Sequence, residues 1–363
     1  MRKLWRRTPP EPPLEAAAAP LDSAAALVER GELLAAIELL TEANRRARDV
    51  RIEEQLLELR YQAYAKGPRP SEPPFQPEAV TDMFPGAIVP EIDAALLTVD
   101  AVRSAILCHG SLIVRGLLQP DRVRSLVDDI DAVFDGYDRF RERGKVDEDP
   151  EWFKPFKYEP KLKERHFRRQ AGGVLAVDSP RALFNVIEAF DESAVGNVVR
   201  EYFDEPPALL AKKWTLRRTP HDAGPSDWHQ DGAFMGQGIR SLDVWVALSH
   251  CGDTAPGIDI VGRRLDEIVE RGTEGAWLEW TVGPGVVERV ARGNVVRPVF
   301  EAGDAVLFDH MNLHRTATDP SFTHDRYAIE AWFFAPSTYG AMTNIYDDGD
   351  TKKIPADQIP IVY

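Results

Sequence analysis

The chain has 363 residues, 44% of them hydrophobic, enough to bury one large domain with an appendage or two medium domains. Its 44 Lys and Arg against 59 Asp and Glu leave a formal charge of −15, which argues against a general affinity for the nucleic-acid backbone. Two cysteines, Cys108 and Cys251, are too few for a disulfide framework or a thiolate zinc site and point to a reducing, cytoplasmic setting.

Residues 1–20 read as a disordered, basic and proline-rich tail: Arg2, Lys3, Arg6 and Arg7 run straight into Pro9, Pro10, Pro12 and Pro13 with no apolar stretch behind them, so no secretory signal is expected. No uninterrupted apolar run long enough for a membrane span follows. From Leu21 to Lys66, apolar residues at three- and four-residue steps predict two or three short helices, with Asp22 or Ser23 as a first cap, Gly31 as a break and Asp49 as a further cap. The run Gly31–Ala63 is similar to one tetratricopeptide-type helix pair, and the segment is expected to be an appendage that packs on the main domain, on a protein partner or on a second copy. Residues 67–80 are a proline-rich linker, and 81–363 a single catalytic-sized domain.

Within that domain Ile92–Cys108 is predicted helical, Gly110–Gly116 a strand, and Pro120–Phe134 an amphipathic helix. Trp152–Arg169 is a cationic island in an acidic chain, with Lys154, Lys157, Lys161, Lys163, Arg165, Arg168 and Arg169 interleaved with aromatics. It reads either as a solvated lid edge or as a clamp for an anionic substrate group. Ala182–Phe203 is a further helix. Strands follow at Leu210–Arg217, Leu242–Leu248, Gly257–Val261, Val286–Val290, Asn294–Phe300, Ala305–Phe308 and Tyr327–Phe334. Leu242–Leu248 alternates as a strand buried on one face should; Lys213 and Arg217 are expected to face solvent, and Trp228, Trp245, Trp332 and Phe333 to be core aromatics. Helices followed by many short strands predict an α+β chain whose double-sheet or closed β core can hold a ligand in its mouth.

Histidine is scarce, with 8 in the chain, so its clustering is informative. His229 and Asp231, two residues apart on an extended stretch, would point to one side. A distant histidine, with His310, His314 and His324 as the candidates, could complete two imidazoles and one carboxylate on a single face, leaving the opposite positions of an Fe(II) ion open.

Trp228-His229-Gln230-Asp231, Gly303–Asp309, His314-Arg315-Thr316 and Arg326, with weaker similarity at Gly110–Gly116 and Pro256–Val261, resemble the phytanoyl-CoA dioxygenase-like branch of the Fe(II)/2-oxoglutarate oxygenases. The resemblance spans about Ala105 to Pro336 and implies a double-stranded β-helix (jelly-roll, cupin-like) core flanked by helices. It implies Fe(II) on His229, Asp231 and His314; by its register His314 is preferred to His310. It implies 2-oxoglutarate with its far carboxylate on Arg326, a hydroxyl contact from Thr316, and Gln230 as a further cosubstrate or substrate contact. The expected reaction consumes O₂ and 2-oxoglutarate, releases succinate and CO₂, and hydroxylates an unactivated C–H bond of a small molecule or a carrier- or CoA-bound metabolite. Related halogenases replace the carboxylate ligand with a small residue; Asp231 is retained, which favours hydroxylation. Two other readings stand beside this one: a zinc hydrolase on the same ligands, which gives Arg326 no task, and a partner-binding protein working through its N-terminal helices.

Overall fold

The computed structural model describes residues 14–66, 80–144, 151–156, 169, 171–210, 215–224, 226–341 and 360–363. The chain divides into two compact units, Met1–Gly67 and Pro68–Tyr363. In the first, α1 (Leu14–Glu29), α2 (Leu33–Arg46) and α3 (Val50–Lys66) form three helices. The first begins at Leu14 and runs through Pro20, so neither Asp22 nor Ser23 caps it; Ser23 instead returns its hydroxyl to the Ala19 carbonyl. Asp49 does sit at the next helix start, accepting from the Arg51 amide at 2.9 Å. Buried Asn44 ties the α2–α3 turn, donating to Glu53 at 3.2 Å and accepting from the Asp49 amide at 2.9 Å. The expected linker, apart from Val80, and the first thirteen residues of the tail lie outside the described residues.

The second unit starts with β1 (Glu91–Asp93) and a 3₁₀ turn where one helix was expected. Thr98 then caps α4 (Val99–His109), accepting from the Ala101 amide at 3.2 Å. After β2 (Ser111–Arg115) comes α5 (Pro120–Arg143), with proline at its first position and nine residues longer than its clear apolar stripe. β3 (Gly173–Leu175) is followed by α6 (Pro180–Glu192) and α7 (Val195–Phe203), two helices where the periodicity predicts one; Ser193 breaks them. The remaining elements are β4 (Ala208–Leu210), β5 (Thr215–Thr219), α8 (Gly232–Met235), β6 (Ser241–Ala247), β7 (Ile258–Val261), α9 (Pro284–Ala291), β8 (Val295–Val296), β9 (Ala305–Phe308), β10 (His314–Thr316), β11 (Arg326–Phe334) and β12 (Pro360–Val362).

Two of the expected strands are overturned. Val286–Val290 is helical, because Pro284 starts a helix and Val286, Val287 and Ala291 bury one side of it against Trp228, Val261, Val282 and Leu313. Asn294–Phe300 pairs as a strand only at Val295–Val296, and Pro298 interrupts the rest.

The strands form a double-stranded β-helix. A nine-stranded sheet runs β1-β2-β9-β6-β11-β4-β12, with β5 also on β11 and β3 on β5; a three-stranded sheet runs β10-β7-β8. Every pairing is antiparallel except β1 with β2. Residue-by-residue register decides which side chains look inward. Arg326, Ala328, Glu330 and Trp332 share one face of β11, opposite Thr219, Arg217 and Thr215 on β5 and Ala247, Trp245 and Asp243 on β6. The alternate residues of β11 face the helices: Phe333 packs on Phe190 of α6 with ring centroids 5.8 Å apart, and the Tyr327 hydroxyl donates to Asp131 of α5 at 2.8 Å. β6 is therefore buried on both faces along its whole length, in place of the one-sided burial its alternation predicts.

Gly303-Asp304 is a joint of this sheet. Gly303 has φ +100°, and a Cβ there would lie 2.4 Å from the Leu118 carbonyl oxygen. Asp304 accepts from the Gly116 amide (2.8 Å), the Glu301 amide (2.9 Å) and the Arg115 guanidinium (2.8 Å), tying β9 to β2.

Candidate metal and cosubstrate site

His229, Asp231 and His314 come together, each offering one ligand atom, with those atoms all within 4.8 Å of one another. Backbone pairing accounts for the two histidines: His229 and His314 form an antiparallel bridge, each amide donating to the other's carbonyl at 3.0 and 3.1 Å. Such a pair places both side chains on one face, and their ring centroids lie 4.5 Å apart. Asp231 arrives differently from the expected strand alternation. Its backbone is helical (φ −66°, ψ −22°), and its carbonyl accepts from Phe234 and Met235 at the start of α8. The turn swings its carboxylate back to 3.7 Å from His314 Nε2.

The donor set fits a divalent first-row metal. His229 Nδ1 lies 3.1 Å from the Asp227 carbonyl, and His314 Nδ1 lies 3.2 Å from the Asn312 carbonyl. A carbonyl only accepts, so each Nδ1 carries the proton and each Nε2 keeps its lone pair for a metal. The same two-residue step back to a carbonyl fixes both rings.

Arg326 opens β11 in the large sheet, and its guanidinium reaches across to the end of the β10–β7 pair that carries His314. His314 faces Ile260 and Thr316 faces Ile258, so His314 and Thr316 present side chains to one side about 6.6 Å apart. The next carbonyl, of Gly257, accepts from the Ala317 amide at 3.1 Å and from Arg326 Nη1 at 2.8 Å. Nη2 of Arg326 donates to the Thr219 hydroxyl at 2.8 Å, and its Nε is buried without a hydrogen bond. The guanidinium sits 5.4 Å from the centroid of the Trp245 ring, and only 2% of the residue is exposed. Burial pulls its pKa down to about 10, and no carboxylate pairs with it in the described residues. A buried cation held by neutral acceptors is built to receive an anion.

Gln230 is placed otherwise than the resemblance implies. Both amide hydrogens are spent on carbonyls, of Met311 at 2.7 Å and Glu267 at 3.1 Å, and its oxygen accepts from the Val269 amide at 2.7 Å. It ties two loops together instead of facing a cosubstrate. His310, expected to be solvated or to support the metal from behind, is buried, with Nδ1 3.1 Å from the Ser241 hydroxyl and Nε2 3.1 Å from the Gln237 carbonyl. Burial holds its pKa below the usual histidine range. His310 also borders a cleft of about 1350 Å³ on its far side, which none of the three candidate ligands lines and where Arg264 is already neutralised by Asp309 at 2.6 Å. His324 is exposed, and His221 pairs with Asp325 at 3.0 Å.

Of the cationic island, residues 157–168 lie outside the described residues, as does Lys213. Phe153 anchors its start, buried against Tyr137 and Phe140 of α5. Gly136 permits that approach, since a Cβ there would meet the Phe153 Cβ at 2.9 Å. Arg169 pairs with Asp138 at 2.5 Å and stacks on Phe134. Arg217 corrects the solvent-facing expectation: it points inward and pairs with Glu330 at 2.7 Å. Trp280 and Phe234, which sequence reasoning did not single out, flank His229 with centroids 6.2 and 6.4 Å away.

Residues 106–321 match the family model of phytanoyl-CoA dioxygenase. The chain belongs to the phytanoyl-CoA dioxygenase family. As a member it is an Fe(II)- and 2-oxoglutarate-dependent oxygenase, using O₂ as its other cosubstrate. No curated protein matches the chain. Among solved structures it is similar to AviO1 from Streptomyces viridochromogenes Tue57, with 16% identity over 64% of this chain and 93% of that one and a TM-score of 0.42. It is similar to SnoK, a non-heme alpha ketoglutarate dependent carbocyclase from nogalamycin biosynthesis, with 14% identity over 66% and 85% and a TM-score of 0.44. EctD from S. alaskensis, solved with 2-oxoglutarate and 5-hydroxyectoine, shares 15% identity over 63% and 73%, with a TM-score of 0.44. No described helix is long and apolar enough to cross a membrane.

Proposed function

We propose that this family member hydroxylates an unactivated C–H bond of a small molecule or carrier-bound metabolite, with Fe(II) held by His229, Asp231 and His314 and 2-oxoglutarate anchored on Arg326 and Thr316. The observation that carries the reading is the pairing of two sites along the β10–β7 pair, with His314 on β10 and the Arg326 guanidinium reaching in from β11 to the Gly257 carbonyl. Two imidazoles whose Nδ1–H groups face carbonyls converge with a carboxylate, and a buried guanidinium that pairs with no carboxylate among the described residues lies beyond them. Bound there, Fe(II) and 2-oxoglutarate supply the O₂ activation that ends in succinate, CO₂ and an oxidised substrate.

The protein's own part is positional. Asn312 and Asp227 orient the imidazoles, Gly257 and Thr219 aim the guanidinium, and Phe308, 4.7 Å from the His314 ring, closes one side against water. Arginine's planar fork suits a carboxylate better than a point charge would. A zinc hydrolase would use the same three ligands and leave Arg326 buried at a cost with nothing to bind. Loading the protein with Fe(II) or Zn(II) and following 2-oxoglutarate under O₂ separates the two: succinate forms with Fe(II) only. Equal behaviour of the two metal forms would contradict the proposal.

A further inference from the structure

We propose that His250 is a pH-sensitive tie on the loop that holds Arg326, so that the protein binds 2-oxoglutarate more tightly when this imidazole is protonated. This rests on the cosubstrate reading above. The loop, residues 249–257, joins β6 to β7 and meets the start of β11 and the residues before it. The Ser249 hydroxyl accepts from the Tyr327 amide at 3.0 Å. The Thr254 carbonyl accepts from the Thr323 and His324 amides at 2.9 and 3.2 Å, and the Gly257 carbonyl from Arg326 Nη1 at 2.8 Å. The aim of the guanidinium therefore depends on where this loop is held.

His250 pins the loop to the turn before β9. Its Nε2 lies 2.6 Å from Asp253 Oδ1, within the loop, and its Nδ1 lies 3.1 Å from Glu301 Oε1, in the turn. Ionised carboxylates only accept, so both bonds form together only when both ring nitrogens carry hydrogen, as the imidazolium. After deprotonation one nitrogen turns a lone pair toward a carboxylate. Asp253 Oδ1 is fixed by the Thr254 amide at 2.6 Å, whereas the Glu301 side chain is 74% exposed, so the Glu301 bond is the one released. The backbone bridge between Cys251 and Phe300 persists, which makes the change a loosening of the loop. Glu301 and Asp253 hold the His250 pKa above the usual histidine value. The tie is therefore complete below about pH 6.5 and is lost as pH rises through the raised value. Other charged groups border the same loop. Asp304 is taken up by Arg115 at 2.8 Å, and burial pushes Cys251 up to about 12 and Arg326 down to about 10, so both keep their protons below pH 10. His324 lies beside the Thr323 hydroxyl at 2.9 Å, and His221 pairs with Asp325 at 3.0 Å next to Arg326. These two histidines are the rival sources of any pH dependence.

The test titrates 2-oxoglutarate calorimetrically into the full-length protein, with Mn(II) saturating at each pH, from about pH 6 to 8.5. The Kd is expected to rise roughly two- to fivefold along a limb centred above about pH 6.5, the size that an exposed ion pair supports. His250→Gln should flatten the limb. Glu301→Gln should move it to lower pH, because one carboxylate fewer favours the imidazolium. His221→Gln and His324→Gln should leave it in place. Proton NMR of the diamagnetic Zn(II)-loaded protein, with the His250 signal assigned by its loss in His250→Gln, should show a midpoint above about 6.5 that falls in Glu301→Gln. A limb unchanged in His250→Gln, a limb removed by His221→Gln or His324→Gln, or a His250 midpoint at or below about 6.5 would each overturn the proposal. Wild-type protein that binds no 2-oxoglutarate at any pH overturns the cosubstrate reading instead, and the NMR midpoint still judges the tie.

Discussion

Replacing Arg326 with methionine separates cosubstrate binding from stability. The guanidinium is buried and its pKa falls from 12.5 to about 10, chiefly through desolvation. At about 1.4 kcal/mol per unit, the folded protein bears on the order of 3 kcal/mol against the charged form. The sign follows from the lowered value: the penalty is fully present below pH 10 and is relieved only as pH climbs from there toward 12.5. At neutral pH, then, the protein without cosubstrate carries a cost that a carboxylate would offset. Removing the charge removes that cost, and the acceptors left behind lose little, because the Gly257 carbonyl keeps its bond from the Ala317 amide. Arg326→Met without cosubstrate should therefore melt no lower than wild type. The lost ion pair with 2-oxoglutarate, roughly 1.5–3 kcal/mol, should weaken its binding about 10- to 100-fold. Calorimetric titration of 2-oxoglutarate into the Mn(II)-loaded protein, with thermal melts beside it, measures both. Unchanged 2-oxoglutarate affinity, or a large loss of stability without cosubstrate, would refute the reasoning and make Arg326 a strand tie.

His229→Ala and His314→Ala should each abolish metal binding while far-ultraviolet circular dichroism stays unchanged, since the bridge between these residues is made by their backbones; metal analysis after dialysis checks it, and retained metal speaks against the ligand set. Gln230→Ala should cost about 2–4 kcal/mol in urea unfolding by removing three buried hydrogen bonds, with 2-oxoglutarate affinity retained where the protein folds. His310 has a lowered pKa in the folded state, so the stability it contributes is lost as pH falls below its unfolded value of about 6.5. His310→Gln should flatten that acid limb in melts run between about pH 7 and 5; an equally steep limb in the variant would exclude His310 as its source.

What the sequence showed and hid follows from range. That His229, Asp231 and His314 could be brought together was legible because residue type and motif order survive without coordinates, and Arg326 could be singled out because the same order contains it. Gly303-Asp304 was legible as a turn, though not as the three-bond joint between β9 and β2. The Val286–Val290 helix was misread because β-branched residues outweighed Pro284, the better local signal. Arg217 looked solvent-facing because a charged residue on a strand usually marks the wet side. Here β6 at the centre of the sheet is buried on both faces, and the partner that turns Arg217 inward, Glu330, stands 113 residues away. The direction of Gln230 depended on where two loops passed, which no spacing encodes.

The central claim is that His229, Asp231 and His314 hold a metal and that the buried Arg326 guanidinium, reaching in from β11, holds a dicarboxylate. Anaerobic addition of Fe(II) and 2-oxoglutarate to the wild-type protein tests it most directly. The account predicts a weak visible charge-transfer band that needs both additions, disappears in His314→Ala, and requires more 2-oxoglutarate in Arg326→Met. It further predicts succinate once O₂ is admitted. No band with wild-type protein and no succinate under O₂ would contradict it.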